Sequence, residues 1–377
     1  MISFHPQRLA LYALLVLALM QPSNTAAEEE KSYPSVEGEL VVEIQNDNFY
    51  NSDDSTAERN ELFTTTEPTV KFNFSKRLSV TAHAVFEPVQ GARSDDDDRY
   101  FQAHGLYIED LFLQYQTNGL SFKNGKFGQS FGQAWDTAPG IYGTDFAEDY
   151  ELAERIGLEI GYTFKSKSVG EHTLKAGTFF QDRTFLSNSA ITNRGRTVAS
   201  AGGPSNSGSL NSYAVSLEGP IPVTPDLGYH LAYADQAQGE GNTSRQRGFV
   251  VNLNYSKIIG DVTFAPMIEY AYFDGWDGTD NQQRYFITAA LTTEWKDFKL
   301  ALSYTGRNTD PASGSNVNDD LFQASIGYNF GCKVFAGCLS FDTGYRFAEE
   351  SGTDTHAWGA LLAYTYNFDH ALDGKKK

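Results

Sequence analysis

From Trp358 to Phe368 the chain alternates with a period of two. Trp358, Ala360, Leu362, Tyr364, Tyr366 and Phe368 are apolar, and the residues between, Ala357 to Asn367, are mostly small or polar. A period of two is the signature of a β-strand with unlike faces. The same alternation is centred on 40–44, 70–74, 78–86, 111–115, 120–122, 156–164, 174–180, 213–217, 227–233, 249–255, 262–272, 285–295, 298–304, 322–330 and 339–347. With 358–368 that makes sixteen segments, an even number, and no long helical pattern competes with them. The spacing predicts an all-β chain.

The links have a rhythm. After even-numbered segments they are mostly short, as in Ser75-Lys76-Arg77, Thr117-Asn118-Gly119 and Lys296-Asp297. After odd-numbered segments they are mostly long and polar, as in NDNFYNSDDSTAERNE and QGARSDDDDRY. One trimmed end and one decorated end is what an up-and-down barrel produces. Seven of the eight even-numbered segments close on an aromatic residue: Phe74, Tyr115, Phe164, Tyr255, Trp295, Phe330 and Phe368. A soluble sandwich has no reason to gather aromatics at one end, whereas a membrane boundary does. Lipid offers no partner to backbone N–H and C=O groups, so spanning strands must close into a ring. The pattern therefore predicts a 16-stranded antiparallel transmembrane β-barrel over 36–368, with 14 or 18 strands as alternatives. Pro68 and Pro266 fall within strands and are expected at bulges.

Composition adds three points. Residues 1–27 read as a secretory signal peptide, with Arg8, an apolar run from Leu9 to Met20 and small residues at Thr25-Ala26-Ala27. Residues 28–35 then form a periplasmic N-terminal segment, and 369–377 a charged C-terminal tail. The net charge of -19 repels phosphate and excludes a general nucleic-acid or anionic-membrane binder. Cys332 and Cys338, in an exported chain, suggest a disulfide closing a small loop.

The stretch YIEDLFLQYQTNGLSFKNGKFGQSFGQ, residues 107–133, resembles the strand-turn-strand of Gram-negative outer-membrane porins, nearest the group that includes phosphate-selective porins. AERIGLEIGYTF, residues 153–164, looks like the strand that leaves the pore-folding loop of such proteins, and the aromatic last strand is similar to their assembly signal. The resemblance implies a homotrimer in the outer membrane, in contact with its lipid, that passes small hydrophilic solutes and ions by passive diffusion. No cofactor or metal is expected. The chain departs from the pattern by continuing nine residues past Phe368 and by lacking a dense Arg/Lys ladder.

The resemblance also implies that the third long connection, about Gly128 to Glu154, folds inward. It carries Asp136, Asp145, Glu148, Asp149, Glu151 and Glu154, with no Lys or Arg. These are the expected constriction. Facing them, on inward strand positions, are Lys71, Lys123, Arg155, Lys175, Lys299 and Arg346. Opposed charges favour small polar solutes, and carboxylates favour cations, so a mild cation preference follows. A phosphate- or anion-selective porin is the alternative. An outer-membrane barrel enzyme is a further one, but the six His beyond residue 27 are scattered, and sixteen strands leave a bore wide enough for water. SDDDDR, residues 94–99, and DGWDGTD, residues 274–280, read as solvated acidic loops; the latter resembles part of a calcium loop without its final Glu.

Overall fold

A computed structural model describes residues 32–91, 97–334 and 336–372. The expected signal peptide, half of the N-terminal segment, part of the 94–99 run and the last five residues lie outside them.

Sixteen strands form the wall. They are β1 (Ser35–Ser52), β2 (Arg59–Asn73), β3 (Leu78–Pro88), β4 (His104–Thr117), β5 (Leu120–Phe127), β6 (Arg155–Ser166), β7 (Gly170–Gln181) and β8 (Ser212–Ile221). The second half comprises β9 (Thr224–Gln236), β10 (Gln246–Tyr255), β11 (Val262–Asp274), β12 (Gln283–Trp295), β13 (Phe298–Asp310), β14 (Val317–Val334), β15 (Gly337–Glu350) and β16 (Thr353–Ala371). Each strand pairs antiparallel with the next, and β1 pairs with β16 from Ser35↔Ala371 to Ser52↔Thr355, which closes the ring. The last strand runs three residues past Phe368.

Alternation sets which side faces where. On β16, Trp358 is 55% exposed and Leu362 40%, while Ala357 is fully buried and Leu361 nearly so. The exposed large apolar residues of the strands lie on one parity, around the outside: Leu113, Ile160, Val251, Ile287 and Leu300 are examples. Their inward neighbours are largely polar. At the short-turn rim Trp295 stacks on Phe298 at 6.2 Å, and Phe298, Tyr328 and Phe330 meet edge to face. A second aromatic belt lies toward the long loops, where Tyr270 meets Tyr285 and Tyr345 meets Trp358. Trp295 and Tyr285 are ten positions apart on β12, about 25 Å along the membrane normal at a tilt near 40°. That matches the apolar band of an outer-membrane barrel.

The turn between β4 and β5 shows why Thr117-Asn118-Gly119 is so short. Asn118 (φ 46°) and Gly119 (φ 83°) are both left-handed. A two-residue hairpin needs that, and Asn-Gly adopts it readily. Cys332 and Cys338 are joined by a disulfide across the turn between β14 and β15.

The expected bulges at the two prolines are not there. β1–β2 register runs unbroken through Leu40↔Pro68, and β11–β12 through Pro266↔Leu291. Instead the ladder lapses on the side where each missing N–H would point. β2–β3 pairing skips from Thr66 to Thr69, and β10–β11 pairing stops at Met267 and resumes at Phe264 against the short segment Lys257–Ile259. The register shift nearest Pro68 lies one strand further on, where Glu109 of β4 is the extra residue.

Leu291 faces outward mid-band, opposite Leu302. Leu291→Arg should lower the unfolding free energy by about 2–4 kcal/mol in lipid vesicles, read by urea titration. An unchanged midpoint would mean that this face does not meet hydrocarbon.

Candidate functional site

The loop between β5 and β6 lies inside the barrel. β5 stops at Phe127 after eight residues. The chain then makes a helical turn, Ala134–Thr137, and a 3-10 turn, Ala147–Tyr150, before β6. One side of the loop is apolar. Phe131, Ala134, Ala138, Ala147, Tyr150 and Leu152 pack on a wall built from β7 to β12, including Phe179, Phe273 and Phe286. Small wall residues, Ala214, Ala232, Ala234 and Ala271, leave room for it. The loop is thus held to one side by hydrophobic burial.

Polar anchors fix it further. Glu269 of β11, almost fully buried, accepts hydrogen bonds from Gln133 N at 2.8 Å, Ala134 N at 3.0 Å, Tyr150 Oη at 2.6 Å and Asn252 Nδ2 at 3.1 Å. One carboxylate so collects the orphan donors of a helix start and ties both halves of the loop to the wall. Gln323 Nε2 of β14 donates to Pro139 O at 2.8 Å. Tyr142 Oη donates to Asp47 Oδ1 of β1 at 2.6 Å. Gly359 lies against that hydroxyl, where a Cβ would collide with it. This explains one small inward residue of the last strand.

The far side of the loop is charged and borders a cavity of about 870 Å³. Asp145, Glu148, Asp149, Glu151 and Glu154 line it from the loop. Arg155, Arg194, Arg284, Arg307 and Arg346 line it from the wall and the next long loop. Asp182, Asp319 and Glu350 complete the charged lining, so eight carboxylates meet five guanidinium groups. Asp145 accepts from Arg346 Nε at 2.9 Å. Asp149 bridges Arg307 at 2.9 Å and Arg284 at 3.3 Å. Arg307 also reaches Asp319 and Glu350 and lies over the Phe146 ring. Glu154 is held by Lys126 at 2.8 Å and Arg194 at 2.5 Å. Burial pushes the Asp145 carboxyl up, to about 6, against the opposing pull of Arg346.

The expected residues separate into two groups. Arg155 and Arg346 join the five loop carboxylates at this cavity, whereas Asp136, half-buried on the helical turn, is not in its lining. The four lysines pair with wall carboxylates instead: Lys71 with Glu37, Lys123 with Glu159, Lys175 with Glu218 and Lys299 with Asp342. Lys123 and Lys175 border a second recess of about 660 Å³ together with Lys76, Arg77 and residues of the β4–β5 turn. Arg284 and Arg307 escaped the sequence reading although their parity is inward. Arg284 stands one residue before Tyr285, and Arg307 three beyond Tyr304. Arg194 gave less signal, because a loop arginine carries no parity, and Lys126 gave none, because it shares the parity of the outward Leu120 and Phe122 although it is buried.

Glu269→Ala should raise amide hydrogen exchange at Gln133 and Ala134 at least about tenfold, since bonds to a charged acceptor contribute about 1.5–3 kcal/mol. Strand amides should stay protected. Unchanged exchange at 133–134 would show that apolar packing alone holds the loop.

No family model matches the sequence, and no curated protein matches it. Solved structures do share the fold. The outer-membrane channel DcaP of Acinetobacter baumannii is 12% identical with a TM-score of 0.54, over 90% of this chain and 99% of that one. OpdK of Pseudomonas aeruginosa, an outer-membrane protein, is 9% identical with a TM-score of 0.53, over 88% and 99%. OmpT expressed in the outer membrane of Vibrio cholerae is 12% identical with a TM-score of 0.50, over 90% and 100%. At such identities the likeness is one of fold alone: the β-barrel of outer-membrane proteins.

Proposed function

We propose that the chain is an outer-membrane diffusion channel of a Gram-negative bacterium, passing small hydrophilic solutes and ions with a mild preference for cations. The observation that carries this reading is the 870 Å³ cavity inside a closed barrel, bordered by charges of both signs, with carboxylates in excess. A charged lining favours small polar solutes over apolar ones, and net negative charge attracts cations. The apolar outer face and both aromatic belts support the membrane location, and residues 1–27 support export. The sequence resemblance adds assembly as a homotrimer, which the mass of the detergent-extracted protein measures.

A second reading is a channel selective for phosphate or another anion. Five arginines converge on the cavity, and the buried Nε of Arg155 meets no acceptor among the described residues. Phosphate that blocks the chloride current at low concentration would favour it.

In a planar bilayer under a KCl gradient, the reversal potential should show potassium more permeant than chloride. An anion-selective reversal potential would overturn the cation preference, and absence of conductance would overturn the channel. The preference should weaken as pH falls through about 6. There Asp145 becomes neutral while Arg346 keeps its charge, so the cavity gains one positive charge. A preference constant from pH 7 to 5 would contradict this role for Asp145.

A further inference from the structure

Asn124 of β5 stands on the outer face of the wall. It shares the parity of the outward Leu120 and Phe122, is exposed, and is flanked by Leu113 of β4 and Leu158 of β6. It lies four residues above the β4–β5 turn, the level that Leu302 holds above Phe298 in mid-band. No hydrogen bond reaches its amide among the described residues. An unsatisfied amide is costly in hydrocarbon, and acyl chains offer it neither donor nor acceptor.

Two further features mark the same face. Beyond the rim residues Tyr115 and Tyr162, the outward positions of β4 to β7 carry neither Tyr nor Trp. Around β9 to β16, by contrast, Tyr233, Tyr270, Tyr285, Tyr304 and Trp358 are exposed. Tyr and Trp gather where lipid meets water, so the long-loop belt lapses on this side. Above the lapse, Ala190–Ile191 of the β7–β8 loop pairs with Gly105 and Leu106, on the edge of β4 that the short β5 leaves open. There Ile191 is 80% and Phe185 77% exposed. Large apolar groups left so open beside a polar one mark a contact surface rather than a lipid-facing wall.

We propose that a second copy of this chain docks on the β4–β7 face, with Asn124 beside the axis of a cyclic assembly. This rests on the homotrimer part of the reading above and names the surface through which the copies meet. A primary amide both donates and accepts, so around an axis each Asn124 donates to the next and the ring satisfies itself. Contact between copies also takes Phe185 and Ile191 out of water, and a face turned toward a protein needs no belt.

The test uses Asn124→Cys in the full chain, oxidised in the outer membrane of a Gram-negative host. Cys332 and Cys338 are joined to each other, so the new thiol is the chain's one free thiol. A disulfide needs Cα atoms within about 7 Å, so outward thiols pair only where copies meet. Folding is checked by heat-modifiable migration in gels. Asn124→Cys should yield covalent dimer at least about fivefold above Leu300→Cys, whose site faces outward on β13. Should Asn124→Cys fail to fold, Leu113→Cys on the neighbouring strand takes its place, with a short bis-maleimide to span the offset. The mass of the unmodified chain in mild detergent is measured alongside. An oligomeric mass without cross-linking at 124 or 113 would overturn this face and leave the homotrimer standing. A covalent adduct with a different polypeptide would overturn the second copy as occupant. A monomeric mass would overturn both face and homotrimer, while the conductance measurement decides the channel separately.

Discussion

A backbone N–H or C=O left unpaired in hydrocarbon costs several kcal/mol, and a spanning strand exposes a full row of them. Pairing of β1 with β16 over Ser35↔Ala371 to Ser52↔Thr355 removes the last open edge. Everything else follows from that closure. Side chains of one parity must meet lipid, and those of the other must meet whatever fills the bore. The aromatic belts sit where the two environments change. Even the prolines obey it, because each lies where the ladder lapses on one side only.

Closing sixteen strands creates an interior too wide for wall side chains alone to fill. The loop after β5 narrows it by obeying the same rule of satisfaction on a smaller scale. Its apolar side is buried on the β7–β12 wall, its helix-start amides end on Glu269, and its Asp145 and Asp149 end on arginines from β12, β13 and β15. The loop therefore acts less as a ring of free carboxylates than as one half of a paired charge lattice. Selectivity then depends on which charges stay uncompensated, and at the cavity carboxylates outnumber arginines.

The wall was legible in the sequence because period two is a local property. Sixteen alternating segments correspond to sixteen strands, although the strands after which long loops follow run further than their apolar cores: β1 continues to Ser52, well past Ile44. The inward loop came from a resemblance, since nothing in 128–154 alone says which way it folds. Ion pairing was not legible. Parity places Lys299 inside, but only the register with β14 and β15 brings Asp342 rather than a loop carboxylate to it.

The central claim is that hydrocarbon meets one parity of these strands and the bore meets the other. Single-tryptophan variants stepping from 357 to 364 on β16, with the other tryptophans replaced by Phe, can be reconstituted in vesicles of brominated lipid. Strong quenching is expected at 358, 360, 362 and 364 and little at 357, 359, 361 and 363. Equal quenching at both parities, or none at either, would contradict it.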